Sequence, residues 1–202
     1  MKNGFGVVAL GIILNLINTE RVAVAGEPTV ESRFQSGQFE GSFGSGFFIS
    51  PFVTHLEVPP VDYTMTEFEL GYMLTDPRGR GILHGNLECA GEAFGGAIFR
   101  GQGNYVAGGT FWLRYNFVRP TGRVVPYAEL GAGAGETDLD RRIEGQNFNF
   151  NLDLGAGARY FVSSNWSVNL EYRYQHISNG GMSRHNVGVN ADGPILSVSR
   201  FF

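Results

Sequence analysis

The chain contains one cysteine, Cys89, so an intrachain disulfide is excluded, and its position deep in the chain excludes a lipoprotein anchor. It reads as a small apolar filler on a strand. Beyond the N-terminus there is no run of about 18 apolar residues, which excludes a membrane-spanning helix. Charge is also scarce: 17% of the 202 residues are charged and the net charge is −4. That balance gives no reason to expect a nucleic-acid partner. The run Gly131-Ala132-Gly133-Ala134-Gly135 has no helical pattern after it. It is therefore not a dinucleotide fingerprint but a stretch of small strand residues. What the chain does have is 30 glycines and 13% aromatics. With little charge and no long apolar run, this composition suits an all-β barrel with alternating faces, either in a membrane or soluble and lipid-carrying.

The N-terminus reads as a secretory signal over residues 1–25. Lys2 is its positive region, residues 5–17 are mostly apolar, and Ala23-Val24-Ala25 offers a small-x-small cleavage point. Glu20 and Arg21 interrupt the pattern, so the signal is better defined than its cleavage position. A periplasmic lead-in over 26–38 and a barrel domain over 39–202 follow. The eight expected strands run over 39–50, 64–75, 82–94, 105–118, 123–134, 147–161, 165–176 and 194–202.

Side chains alternate with period two along most of them. Phe111, Leu113, Tyr115 and Phe117 oppose Thr110, Trp112, Arg114 and Asn116, and Phe68, Leu70 and Tyr72 oppose Glu67 and Glu69. Leu87 and Cys89 oppose His84, Asn86, Glu88 and Glu92. One face is thus apolar throughout, while the other mixes carboxylates with Arg114, Arg159 and Arg173. Strand-centred charges of both signs among many glycines predict the filled polar interior of a small transmembrane barrel, with the apolar face toward lipid. The links 76–81, 119–122 and 162–164 are short and fall at one end together with both termini, as in bacterial outer-membrane barrels with an even strand number. The chain stops inside its last strand at Phe202, with Leu196, Val198 and Arg200 in phase, and resembles the terminal assembly signal of such barrels.

The candidate chemistry lies at the end of the seventh strand, in His176-Ile177-Ser178. Residues two apart share a strand face, here the apolar one, so both side chains look toward lipid at the rim opposite the termini. A bare His-x-Ser is a weak motif. The longer string is specific: His176-Ile177-Ser178-Asn179-Gly180-Gly181, then Asn186-Val187-Gly188 before the last strand. Together with Glu171-Tyr172-Arg173-Tyr174-Gln175, Gly155-Ala156-Gly157-Ala158-Arg159-Tyr160 and Val125-Pro126-Tyr127, it resembles the lipid A 3-O-deacylase (PagL-like) family of outer-membrane barrels, also labelled acyloxyacyl hydrolases.

The resemblance implies hydrolysis of the 3-O-linked acyl chain of lipid A, with lipopolysaccharide in the outer leaflet as partner and a location in the bacterial outer membrane. It implies Ser178 as nucleophile and His176 as general base, without metal or cofactor. Oxyanion donors would come from Asn179, Gly181 or Asn186. A homodimer is a candidate assembly. The family pattern has Glu twelve residues after the serine, where this chain has Asn190. Three readings stay open: Asn190 orients the imidazole without charge, Asp192 takes the carboxylate's place, or turnover is poor. A non-enzymatic barrel is the alternative from another class.

Other polar residues read as structure. His185 reads as a solvated loop residue, His55 has no partner pattern, and His84 reads as an interior barrel residue. Glu88, Glu92 and Glu171 read as members of the interior network. Asp138, Asp140, Arg141, Arg142 and Glu144 read as a charged, solvated external loop.

Overall fold

Alternating strands with one apolar and one polar face have two ways to close, and the placement of the large apolar side chains distinguishes them. In the computed structural model, which describes residues 29–50, 60–119 and 122–202, the apolar face points outward. Eight antiparallel strands form a closed barrel in sequence order. They are β1 (Phe39–Phe48), β2 (Asp62–Met73), β3 (Asn86–Arg100), β4 (Tyr105–Asn116), β5 (Val124–Thr137), β6 (Phe148–Phe161), β7 (Trp166–Ser178) and β8 (Val189–Phe201). β1 closes on β8 with Gly41 opposite Arg200. Phe68, Leu70, Phe111, Leu130, Leu152, Leu154 and Leu170 stand exposed on the outside, which gives the belt of a transmembrane barrel. The signal segment and His55 lie outside the described residues.

The interior is layered. At its middle sit Arg114, Arg159 and Arg173, all buried, each held by several carboxylates. Arg114 donates to Glu69, Glu88 and Glu129. Arg159 binds Glu40 and Glu88, and Arg173 binds Glu67, Glu92 and Glu171 while lying over Trp112. Pairing on this scale is what allows charges to be buried at all. Inward glycines make the room: a Cβ on Gly71 would fall 2.2 Å from Glu88 Oε1, and one on Gly155 would fall 2.7 Å from Glu129 Oε1.

Apolar plugs close both ends, which refines the expectation of a polar interior. Near the termini Phe34, Met73, Val118, Val125, Phe161 and Phe201 pack together. At the other end Phe48, Tyr63, Met65, Phe94, Ile143, Ile177 and Val189 do the same. The expected lead-in is partly inside the barrel: Val30–Phe34 forms a 3-10 turn, and Phe34 packs edge-on against Phe161.

Several strand limits differ from expectation, and so does the pattern of links. β2 starts at Asp62, and β3 runs from Asn86 to Arg100, so the link at 101–104 is tight although it lies at the end expected to carry long loops. The link at 74–85 is longer than expected and contains the 3-10 turn Gly81–Leu83. His84 caps that turn and bonds Glu31 at 3.0 Å at the termini end, outside the barrel interior where it was expected. β7 extends through Ser178, and β8 begins at Val189 rather than 194. The regular β1–β8 ladder ends at Gly46 opposite Ile195, so Pro194, which lacks an N–H, falls just past it, and the chain after β1 meets β8 again at the bridge between Ile49 and Asp192.

Candidate active site

The extended β7 and β8 bring the candidate residues together. His176 and Ser178 both lie within β7 on the outward face, with Ile177 between them turned into the apolar plug. The ladder pairs His176 directly with Asn190 of β8. His176 Nδ1 lies 2.7 Å from Asn190 Oδ1, and His176 Nε2 lies 3.0 Å from Ser178 Oγ. An oxygen facing Nδ1 requires the ring proton on that nitrogen, which leaves Nε2 to accept the serine hydroxyl. The relay Asn190–His176–Ser178 therefore has the tautomer that a base for serine needs. Tyr174 OH donates to the same Asn190 Oδ1 at 2.7 Å and fixes the amide. Tyr174 was not singled out from the sequence, although its position two residues before His176 on the same face was the available signal.

Asp192 shares the outward face, in phase with Asn190, but sits one outward pair along the ladder, opposite Tyr174. Its carboxylate interacts with Tyr172, while the two ring nitrogens of His176 face Asn190 and Ser178. Across β6, Phe150 lies opposite Ser178 and Leu152 opposite His176. Phe148, Phe150, Leu152 and Leu154 are all exposed, so an apolar wall flanks the polar trio.

The loop after Ser178 is tightly bonded. Asn179 is buried: its Nδ2 donates to His185 O at 2.7 Å, and its Oδ1 accepts Gly181 N at 3.0 Å. Asn179 N donates to Glu144 and to Asn186 Oδ1, both at 3.0 Å. Two of the three oxyanion candidates, Asn179 and Gly181, thus spend these donors inside the loop. Asn186 spends its side-chain oxygen on Asn179 N, and its Nδ2 is the donor end of that amide. Gly180 and Gly181 make the turn with φ of 63° and 81°. His185 is exposed, as expected.

Glu144 corrects the reading of its loop as wholly solvated. Its side chain is fully buried, and its two oxygens take one backbone N–H each, Oε1 from Gly188 at 2.8 Å and Oε2 from Asn179. Ile143 beside it enters the apolar plug and pulls the loop over the barrel mouth. An isoleucine within a charged loop was the only sequence signal. Asp138 ties the loop to the neighbouring 101–104 link, accepting Asn104 N at 2.6 Å and Tyr105 N at 2.9 Å. Asp140, Arg141 and Arg142 are the solvent-side part of the loop, and Asp140 pairs with Arg142.

A family model described as lipid A 3-O-deacylase (PagL) matches residues 66–199. No curated protein matches the chain by sequence. Among solved structures it is similar to the outer-membrane enzyme PagL, with 17% identity over 79% of this chain and 97% of that one, at a TM-score of 0.51. The N-terminal barrel of Pseudomonas aeruginosa OprF is similar at 15% identity over 83% and 98%, with a TM-score of 0.55. Neisserial surface protein A is similar at 18% identity over 82% and 96%, with a TM-score of 0.52. At such identities these structures speak for the fold alone, and the matching family model spans β2 to β8, including every residue of the outward relay.

Proposed function

The chain belongs to the lipid A 3-O-deacylase family of outer-membrane barrels, and on that premise we propose that it removes the 3-O-linked acyl chain from lipid A by a Ser178/His176 mechanism. The observation that carries the reading is the relay Asn190–His176–Ser178 on a lipid-facing surface. His176 Nε2 takes the hydroxyl proton as Ser178 Oγ attacks the ester carbonyl. The resulting tetrahedral intermediate collapses as the imidazolium returns the proton to the leaving sugar oxygen, leaving an acyl-enzyme. Water, deprotonated by the same nitrogen, then releases the fatty acid. The acyl chain lies along the wall of Phe150 and Leu152, outside the barrel, and the loop-bearing rim faces the outer leaflet. Asn186 Nδ2 is the amide best placed to serve the oxyanion.

Lipid A from cells expressing the protein, examined by mass spectrometry, tests this. Wild type shortens lipid A by one 3-hydroxyacyl chain, and Ser178→Ala does not. Equal deacylation by both would sink the mechanism. The second reading, a barrel without activity, is favoured by one feature, the uncharged Asn190 where the family has Glu. It predicts unchanged lipid A with wild type and variant alike.

A further inference from the structure

We infer that Glu144 supplies, from behind the imidazole, the negative charge that position 190 lacks, so that two residues share the task of one triad carboxylate. The inference rests on the esterase reading above. Asn190 fixes the ring's direction and tautomer, but an amide does not neutralise the imidazolium that forms as Ser178 attacks. Glu144 is a buried carboxyl whose oxygens each accept one backbone N–H, the pattern of an acceptor-only, ionised group. The two donors bracket the β7–β8 loop, one following Ser178 and the other at Gly188.

Gly188 lies against the histidine. With φ of 78°, it is in the left-handed region, and a Cβ there would fall 3.0 Å from His176 Cε1 and 3.8 Å from Nδ1. One glycine's width therefore separates the Glu144 carboxylate from the imidazole, and a charge on His176 favours the ionised glutamate. Among the described residues, no arginine or lysine forms an ion pair with Glu144. Arg141 bonds Gly145 O and Arg142 is held by Asp140, while His185 contributes its carbonyl to Gly145 N. A buried carboxylate without a counter-cation gains one only when His176 takes the serine proton. That interaction is stronger in the transition state than in the resting enzyme, which is the condition for raising turnover rather than binding.

Glu144 acts through His176 and is a positioning residue, so the test separates its charge from its role as a loop strap. Turnover of purified protein on lipopolysaccharide in detergent is compared for wild type, Glu144→Gln, Asn190→Glu and the double variant. Glu144→Gln lowers kcat about 30-fold with KM little changed, the size of one charge pair a residue's width apart at an effective dielectric of about 20. Asn190→Glu recovers about 10-fold or more in the Glu144→Gln background, because it returns the charge to the imidazole's other side. A strap alone is not repaired this way, since position 190 touches neither Asn179 N nor Gly188 N. Wild-type kcat in Glu144→Gln, or a loss that Asn190→Glu leaves unchanged, overturns the inference while the esterase reading stands. An inert wild type overturns both. Should Glu144→Gln not assemble into a barrel, Asn190→Glu alone decides: with the charge already supplied it raises kcat by less than about fivefold, and a larger rise overturns the inference.

Discussion

Inside the barrel, Arg173 is surrounded by three carboxylates and a tryptophan face. Outside, a few residues along the same strand, the trio of His176, Ser178 and Asn190 contains no permanently charged side chain. Both sites are polar groups withdrawn from water, but they solve the problem differently. The interior is enclosed by protein, so charges are tolerated when each has partners on several strands. The outer face meets lipid, which supplies no partner, so only neutral groups that satisfy one another are cheap there. An amide at 190 suits that face, and the nearby carboxylate of Glu144 is tucked under a loop rather than exposed to the bilayer.

Variants sharpen the contrast. The largest effect falls outside: Ser178→Ala or His176→Ala lowers deacylation by about 10³-fold or more and leaves stability within about 1 kcal/mol, read by lipid A mass spectrometry and by urea unfolding in vesicles. Arg173→Met does the reverse. It strands Glu67, Glu92 and Glu171 without their cation and costs about 3–5 kcal/mol in the same unfolding measurement. If Arg173→Met unfolds like wild type, the interior pairs are not what holds the barrel's middle. Removing the donor that fixes Asn190, by Tyr174→Phe, reduces kcat about fivefold, the worth of one hydrogen bond.

The smallest effects set two acids of one loop against each other. Burial pushes the Glu144 carboxyl above the ordinary glutamate range, although the amides of Gly188 and Asn179 oppose it. Its folded value therefore exceeds its unfolded one, and its contribution to stability falls as pH rises from about 4.5 through the folded value. The inferred role of Glu144 requires the ionised form and moves the other way, so the expected ratio of wild-type to Glu144→Gln turnover shrinks as the medium is acidified. Partial burial also works against ionised Asp138, but the Asn104 and Tyr105 donors outweigh it and hold this carboxyl below its usual range. Its stabilisation is present above the unfolded value of 3.8 and is lost as pH falls through the folded value. Asp138→Ala costs about 1 kcal/mol and loosens the tie to the 101–104 link, visible as faster amide exchange at Asn104 and Tyr105.

Period-two alternation by itself determined which side chains of each strand share a face, because the pleat turns successive residues to opposite sides. The barrel, the interior arginines, the outward wall and the common face of His176 and Ser178 were all legible from it. The motif around Ser178 was legible in another way, as a residue string that resembles the family's. The start of β8 at Val189 rather than 194 was not legible, because neighbours in a ladder are not written in a segment's own residues. Only the tertiary structure decided that Asn190 stands directly opposite His176, that Asp192 turns to Tyr172, and that Glu144 reaches Gly188 and Asn179 from a loop more than thirty residues upstream. Register and loop packing are properties of pairs of segments, set by closure of the whole sheet, whereas the face a residue takes is a property of the strand that carries it.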